Sequence, residues 1–195
     1  MARYKFATMR DDEPYNVIDQ PLYDSFRVPA AATSTVSFFQ IPKGQPGTAF
    51  AAAGNKTLAD TNLTNAGLLP SPQRFLIQAI AFVTGISVTL ADMRLLLNGA
   101  VFELTIGTKP FLQCPLNFIP GGAGVLNSGS AAAATEVLNH GFPAPQAIKV
   151  LTEPIPIDKM ENFGATVSWP VTAITLAAAT PVQLFLHGTL YRSIQ

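Results

Sequence analysis

Charge is what this chain has least of. Only 12% of its 195 residues are Asp, Glu, Lys or Arg, about half the roughly 25% of ordinary globular domains. The few charges are also unevenly spread. Nine of the 24 fall in the first 27 residues, and residues 162–191 carry none. Net charge is zero, and basic residues near the start alternate with acidic ones. That excludes the basic patch or stripe with which nucleic-acid binders neutralise phosphates. Cys114 is the single cysteine, so no disulfide framework can form within the chain. A chain of this length builds a core without staples. Histidine occurs twice, at 140 and 187, with no His-x-His pair, which is too little for a cupin-type metal site. No apolar stretch of spanning-helix type occurs either. The uncharged run is broken by Gly164, Pro170, Pro181 and Gly188 and is rich in Thr, Val and Ala, whereas a spanning helix needs about 20 predominantly apolar residues. No apolar region follows the basic residues of Met1–Arg10, so no secretory leader is read and synthesis in a cytoplasm is expected.

What is present is strand pattern punctuated by Gly and Pro. Residues 35–41 (TVSFFQI) read as a strand stopped at Pro42. Residues 55–67 allow a short helix, capped by Thr57 and ended by Gly67. From 75 to 83 Phe75, Ile77, Ala79, Ala81 and Val83 share one face and Leu76, Gln78, Ile80 and Phe82 the other. Asn98-Gly99 between apolar runs predicts a two-residue hairpin. Strands are expected at 110–119, 148–152, 163–169 and 171–176, with a loop at 120–134 and a short helix at 131–140. In the last strand, 182–194, Val182, Leu184, Leu186 and Leu190 face one way and Phe185, His187 and Tyr191 the other. Residues 1–33 read as an extended arm: prolines at 14, 21 and 29 forbid a long helix, and the aromatics favour docking over disorder. The domains expected are thus an arm, 1–33, and a sandwich, 34–195.

No catalytic constellation stands out. There is no G-x-S-x-G elbow. The PGGAG run at 120–124 lacks the Lys-Ser/Thr of a phosphate loop. Asp11-Asp12-Glu13 lacks cation-loop spacing, and Asp158 and Glu161 flank Lys159 as surface charges would. Catalytic, metal and cofactor sites are therefore all expected to be none. A β protein so short of charge covers its surface in another way, and neighbouring copies are the economical cover.

The stretches FFQIPKG (38–44), AGLLPSPQRFLIQAI (66–80) and LFLHGTLYRSIQ (184–195) resemble structural proteins of tailless or otherwise small bacterial viruses. The whole chain, arm then strands, resembles single jelly-roll capsid subunits. The resemblance implies an all-β, antiparallel eight-stranded jelly-roll sandwich with one or two short loop helices, located in the virion after assembly in host cytoplasm. Its partners would be further copies of itself and other virion proteins. The neutral arm departs from the basic arms of coats that package genome directly. No direct nucleic-acid contact is expected, and an inner membrane layer is compatible. Tyr15, Tyr23 and Phe26 are the expected anchors of the arm on a neighbour, and Phe185, His187 and Tyr191 the expected subunit contact. The alternative is a receptor- or glycan-binding jelly-roll spike or fibre protein.

Overall fold

The computed structural model describes residues 15–48, 53–85, 88–119 and 148–194. Its elements in chain order are β1 (Tyr15–Asp19), β2 (Leu22–Val28), β3 (Thr35–Phe38), β4 (Pro46–Thr48), β5 (Ala53–Asn55), β6 (Arg74–Thr84), α1 (Leu90–Leu97), β7 (Val101–Ile106), β8 (Lys109–Pro115), β9 (Lys149–Ile157), β10 (Phe163–Ser168) and β11 (Thr180–Ser193). The fold is an all-β sandwich of antiparallel sheets. One sheet runs β2-β11-β6-β9, with β1 lying beside the C-terminal end of β11 on the β2 side. The other runs β3-β10-β7-β8, and β4 and β5 form a separate small hairpin. With β1, β4 and β5 set aside, the pairings nest. First strand meets last (β2·β11), second meets seventh (β3·β10), third meets sixth (β6·β9), and fourth meets fifth (β7·β8).

Alternation builds the core between the sheets. Val182, Leu184, Leu186 and Leu190 of β11 are buried, as are Phe163, Ala165 and Val167 of β10 with Trp169 beyond it, and Phe102, Leu104 and Ile106 of β7. Each full burial of such a large side chain is worth roughly 1.5–3 kcal/mol. Strand β6 departs from strict alternation. Its register on β9 slips between Ile77 and Ala79, and its register on β11 slips between His187 and Gly188. The inward set is therefore Phe75, Ile77, Ile80 and Phe82, not the odd-numbered residues throughout. Gly188 makes the irregularity possible: a Cβ there would sit 2.0 Å from the carbonyl oxygen of Leu76.

Several expectations are corrected. From Tyr15 onward the segment read as an arm supplies β1 and β2, both hydrogen-bonded to β11. Its apolar residues Leu22 and Val28 are buried in the core. Asn98-Gly99 is not a hairpin turn. Leu95–Leu97 complete helix α1, whose start is capped by Thr89 accepting from the Asp92 N–H. Asn98 closes the helix and Gly99, at φ +72°, leads into β7. Asn-Gly serves either role, because both need positive φ. Residues 55–67 are not a helix: Asn55 ends β5, and turns follow at 58–60 and 66–67. The Asp60 carboxylate accepts from the N–H and hydroxyl of Thr57, both at 2.8 Å, and this local bond competes with helix continuation. The strand at 35–41 stops at Phe38, because Phe39 takes φ +65°. Strand β8 gives way after Pro115 to a 3-10 turn at Leu116–Phe118. Residues 171–176 are not a strand; they follow the sandwich edge with one bridge, Thr33 to Ile174. Strand β9 runs on to Ile157 through Pro154 and Pro156. The helix expected at 131–140 lies outside the described residues.

Prolines mark the sheet margins. The end strand β9 carries Pro154 and Pro156, and the end strand β8 carries Pro110 and Pro115. A proline offers no N–H to a ladder and so belongs at an edge.

Candidate assembly surface

The outer face of the first sheet centres on β11. Phe185 and His187 stack at 5.8 Å between ring centroids, and Tyr23 of β2 packs on Phe185 at 5.8 Å. These side chains are half-buried. Strand periodicity puts them on one side, and the register Phe185↔Tyr23 aligns them across strands. Burial holds the His187 imidazole below its ordinary pKa, and the carboxylate of Asp19 partly restores it. Burial also raises the Tyr23 phenol, with Asp60 adding to the effect. Ala79 and Ala81 face this row from β6. Val17 of β1, opposite Tyr191, and Val150 of β9 are 63% and 64% exposed on the same sheet.

The expected arm anchors are held by their own chain. The Tyr23 hydroxyl donates to the Leu58 carbonyl. The Tyr15 hydroxyl accepts from Arg74 at 3.1 Å, and the guanidinium lies over the Tyr15 ring. Phe26 meets Phe38 edge-on. Of the expected contact residues, Phe185 and His187 come together, and Tyr191 sits farther along the strand opposite Arg74.

The second sheet is barer still. Its four strands contain two charged residues, Glu103 and Lys109. Glu103 is held by Gln113 of β8, and among the other exposed or half-exposed residues of these strands are Thr35, Ser37, Val101, Thr105, Thr166 and Ser168, with Lys109 and Phe111 exposed on β8.

Two charges in the sheets point inward. The Asp24 carboxylate accepts from Lys56 Nζ at 2.5 Å and from the Phe39 N–H at 2.5 Å, while Lys56 also donates to the Ser25 carbonyl. Burial pushes the Asp24 carboxyl upward, and Lys56 pulls it back. Around this pair, residues 56–62 line the margin of β2: Asn62 accepts from the Tyr23 N–H and donates to the Pro21 carbonyl. Arg74, fully buried, donates to Asp158 at 2.9 Å. Both pairs remove charge from the exterior and lock sheet to loop.

At the end of the sandwich where β11 begins lies an open groove of about 790 Å³. Ala91, Arg94 and Leu95 of α1 form one wall, and Trp169, Val171 and Ile174 the other. The Trp169 indole donates to the Leu96 carbonyl, which fixes the floor. Asp92 accepts from the Ala177 N–H at 3.0 Å, which ties the helix to the opposite wall.

Among the described residues no three His, Cys, Asp or Glu side chains gather as metal ligands do, and no helix is long and apolar enough to cross a membrane. The chain matches no family model, curated protein or solved structure. Its chemistry is therefore to be read from this surface alone. Cys114 lies half-buried in β8, its thiol raised by burial. His140 lies outside the described residues. The groove is not legible in the sequence, because its two walls come from segments distant along the chain and Asn98-Gly99 reads as a hairpin turn. Both ion pairs are illegible for a similar reason: Lys56 and Asp158 sit in segments whose polarity alone reads as solvent-facing.

Proposed function

We propose that the chain is a capsid subunit that assembles with copies of itself into an icosahedral virion shell, and that its sandwich is an eight-stranded jelly roll. The nested pairing of first strand with last, through to fourth with fifth, supports the jelly-roll reading, since such a fold is a long hairpin wound into two sheets. The observation that carries the functional reading is the scarcity of charge on the second sheet, whose four strands hold only Glu103 and Lys109, combined with exposed Val17, Phe111, Phe118, Val150 and Val171. Subunit interfaces deplete charge at their centres and enrich aromatics. Weak contacts repeated around a closed shell add to a stable whole. The Tyr23–Phe185–His187 row is the contact proposed on the first sheet. Tyr15, Tyr23 and Phe26 would then act by holding β1 and β2 on β11, so that this row is presented.

Negative-stain microscopy of the purified chain tests the reading. Closed particles, or pentamer and hexamer arrays, are expected. Discrete trimers would favour the spike or fibre alternative, and a monomer at all concentrations would overturn the shell reading.

A further inference from the structure

The groove between α1 and residues 169–175 has apolar walls and one charged side chain. Val171 is 92% exposed and Leu95 43%. Arg94 is exposed, and its guanidinium has no ion-pair or hydrogen-bond partner among the described residues. A ligand that fits presents carboxylates beside apolar side chains. Residues 1–14 of the same sequence gather such groups at one end: Asp11-Asp12-Glu13 form an acidic triplet, preceded by Tyr4, Phe6 and Met9 interleaved with Arg3, Lys5 and Arg10.

The supply cannot be internal. Tyr15 pairs with Ser193, at the last residues of β11. The groove lies where β11 begins, since Ala177 is bonded to α1 and Thr180 opens the strand. Fourteen strand residues at about 3.3 Å each separate the two ends by roughly 45 Å. Asp11 stands four residues before Tyr15 and reaches at most about 14 Å from it. The acidic triplet of one chain therefore meets Arg94 only on another chain.

We infer that residues 1–14 of one copy dock in the α1/169–175 groove of the next, with Asp11, Asp12 and Glu13 on Arg94. The inference rests on the self-assembly reading and specifies its geometry. Donor and acceptor sites lie at opposite ends of β11, so the contact is head-to-tail. Such contacts generate rings when the rotation closes, whereas a two-fold contact would join like ends. Five- and six-membered rings are what a closed shell is built from.

Trp169 is the only tryptophan and lines the groove, so its selectively excited emission reports occupancy. A synthetic peptide of residues 1–14, titrated into the dilute full chain, should change that emission saturably. Arg94→Glu should weaken binding at least tenfold, and a peptide carrying Asp11→Lys, Asp12→Lys and Glu13→Lys should bind Arg94→Glu better than it binds the parent protein. Circular dichroism checks that Arg94→Glu is folded, and Arg94→Gln, which removes charge without reversing it, should give an intermediate loss. No emission change at millimolar peptide, or equal affinity for parent and Arg94→Glu, overturns the inference. Particles that form normally from Arg94→Glu overturn it while leaving the shell reading intact. Absence of particles from every protein, with the peptide binding as expected, overturns the shell reading and leaves the groove as a peptide site.

Discussion

Lys56 Nζ is buried against the Asp24 carboxylate, 2.5 Å away. Neither side chain has water to fall back on, and removing one partner of a buried pair leaves the other uncompensated. Asp24→Asn should therefore cost about 3–5 kcal/mol, measured as a lowered urea midpoint with unchanged slope. A second residue-scale effect comes from His187. Its folded pKa lies below the ordinary value near 6.5. Between those values the unfolded chain binds more protons, so stability rises with pH across that window and is lost as pH falls through it. Melting temperatures from pH 7.5 downward should decline, and His187→Gln should flatten that part of the curve. A profile unchanged in the variant would show that the decline arises elsewhere.

The elements differ in how openly the sequence declares them. Strands β10 and β11 are legible because strict alternation persists over their whole buried length: Phe163, Ala165 and Val167, then Val182, Leu184 and Leu186. Strand β6 is legible as a strand but not as a face, since its bulge is set by a glycine more than 100 residues away. Helix α1 is hidden by Asn98-Gly99, because the positive φ of Gly99 fits the residue after a helix as well as a hairpin. The C-terminal half of strand β9 is masked in the sequence by Pro154 and Pro156, which an end strand tolerates and an interior one would not. Of the candidate site, the Phe185–His187 row was visible from period two, while Tyr23 joined it only through cross-strand register. The bulge carries its own prediction. In Gly188→Ala the new methyl would meet backbone, which cannot swing aside, and roughly 3 kcal/mol of stability should be lost. Chemical denaturation would detect it, and a near-neutral result would mean that β6 and β11 slide apart more readily than their pairing implies.

At the scale of the whole molecule, the lack of charge governs behaviour. Screening weakens exposed charge pairs, with a Debye length of about 3 Å at 1 M salt. Contacts between uncharged sheet faces do not weaken that way. Particles should therefore persist in 1 M NaCl by sedimentation, even though the single Arg94 contact is loosened; dissociation there would mean that ion pairs dominate assembly. The two-layer architecture was legible from strand spacing and from Gly and Pro punctuation. The order of strands within each sheet was not, because pairing between the first and last strands leaves no local trace.

The four prolines on β8 and β9 have a bearing on how such a chain survives being made in quantity. An apolar, uncharged β protein is a template for runaway fibre growth wherever its outermost strand offers a clean row of donors. Pro154 and Pro156 remove two N–H donors from the end strand β9, and Pro110 and Pro115 remove two from the end strand β8. Polymerisation by sheet extension is thereby hindered at these two flanks, and in the shell proposed above copies would meet by broader surfaces whose curvature brings growth to a halt.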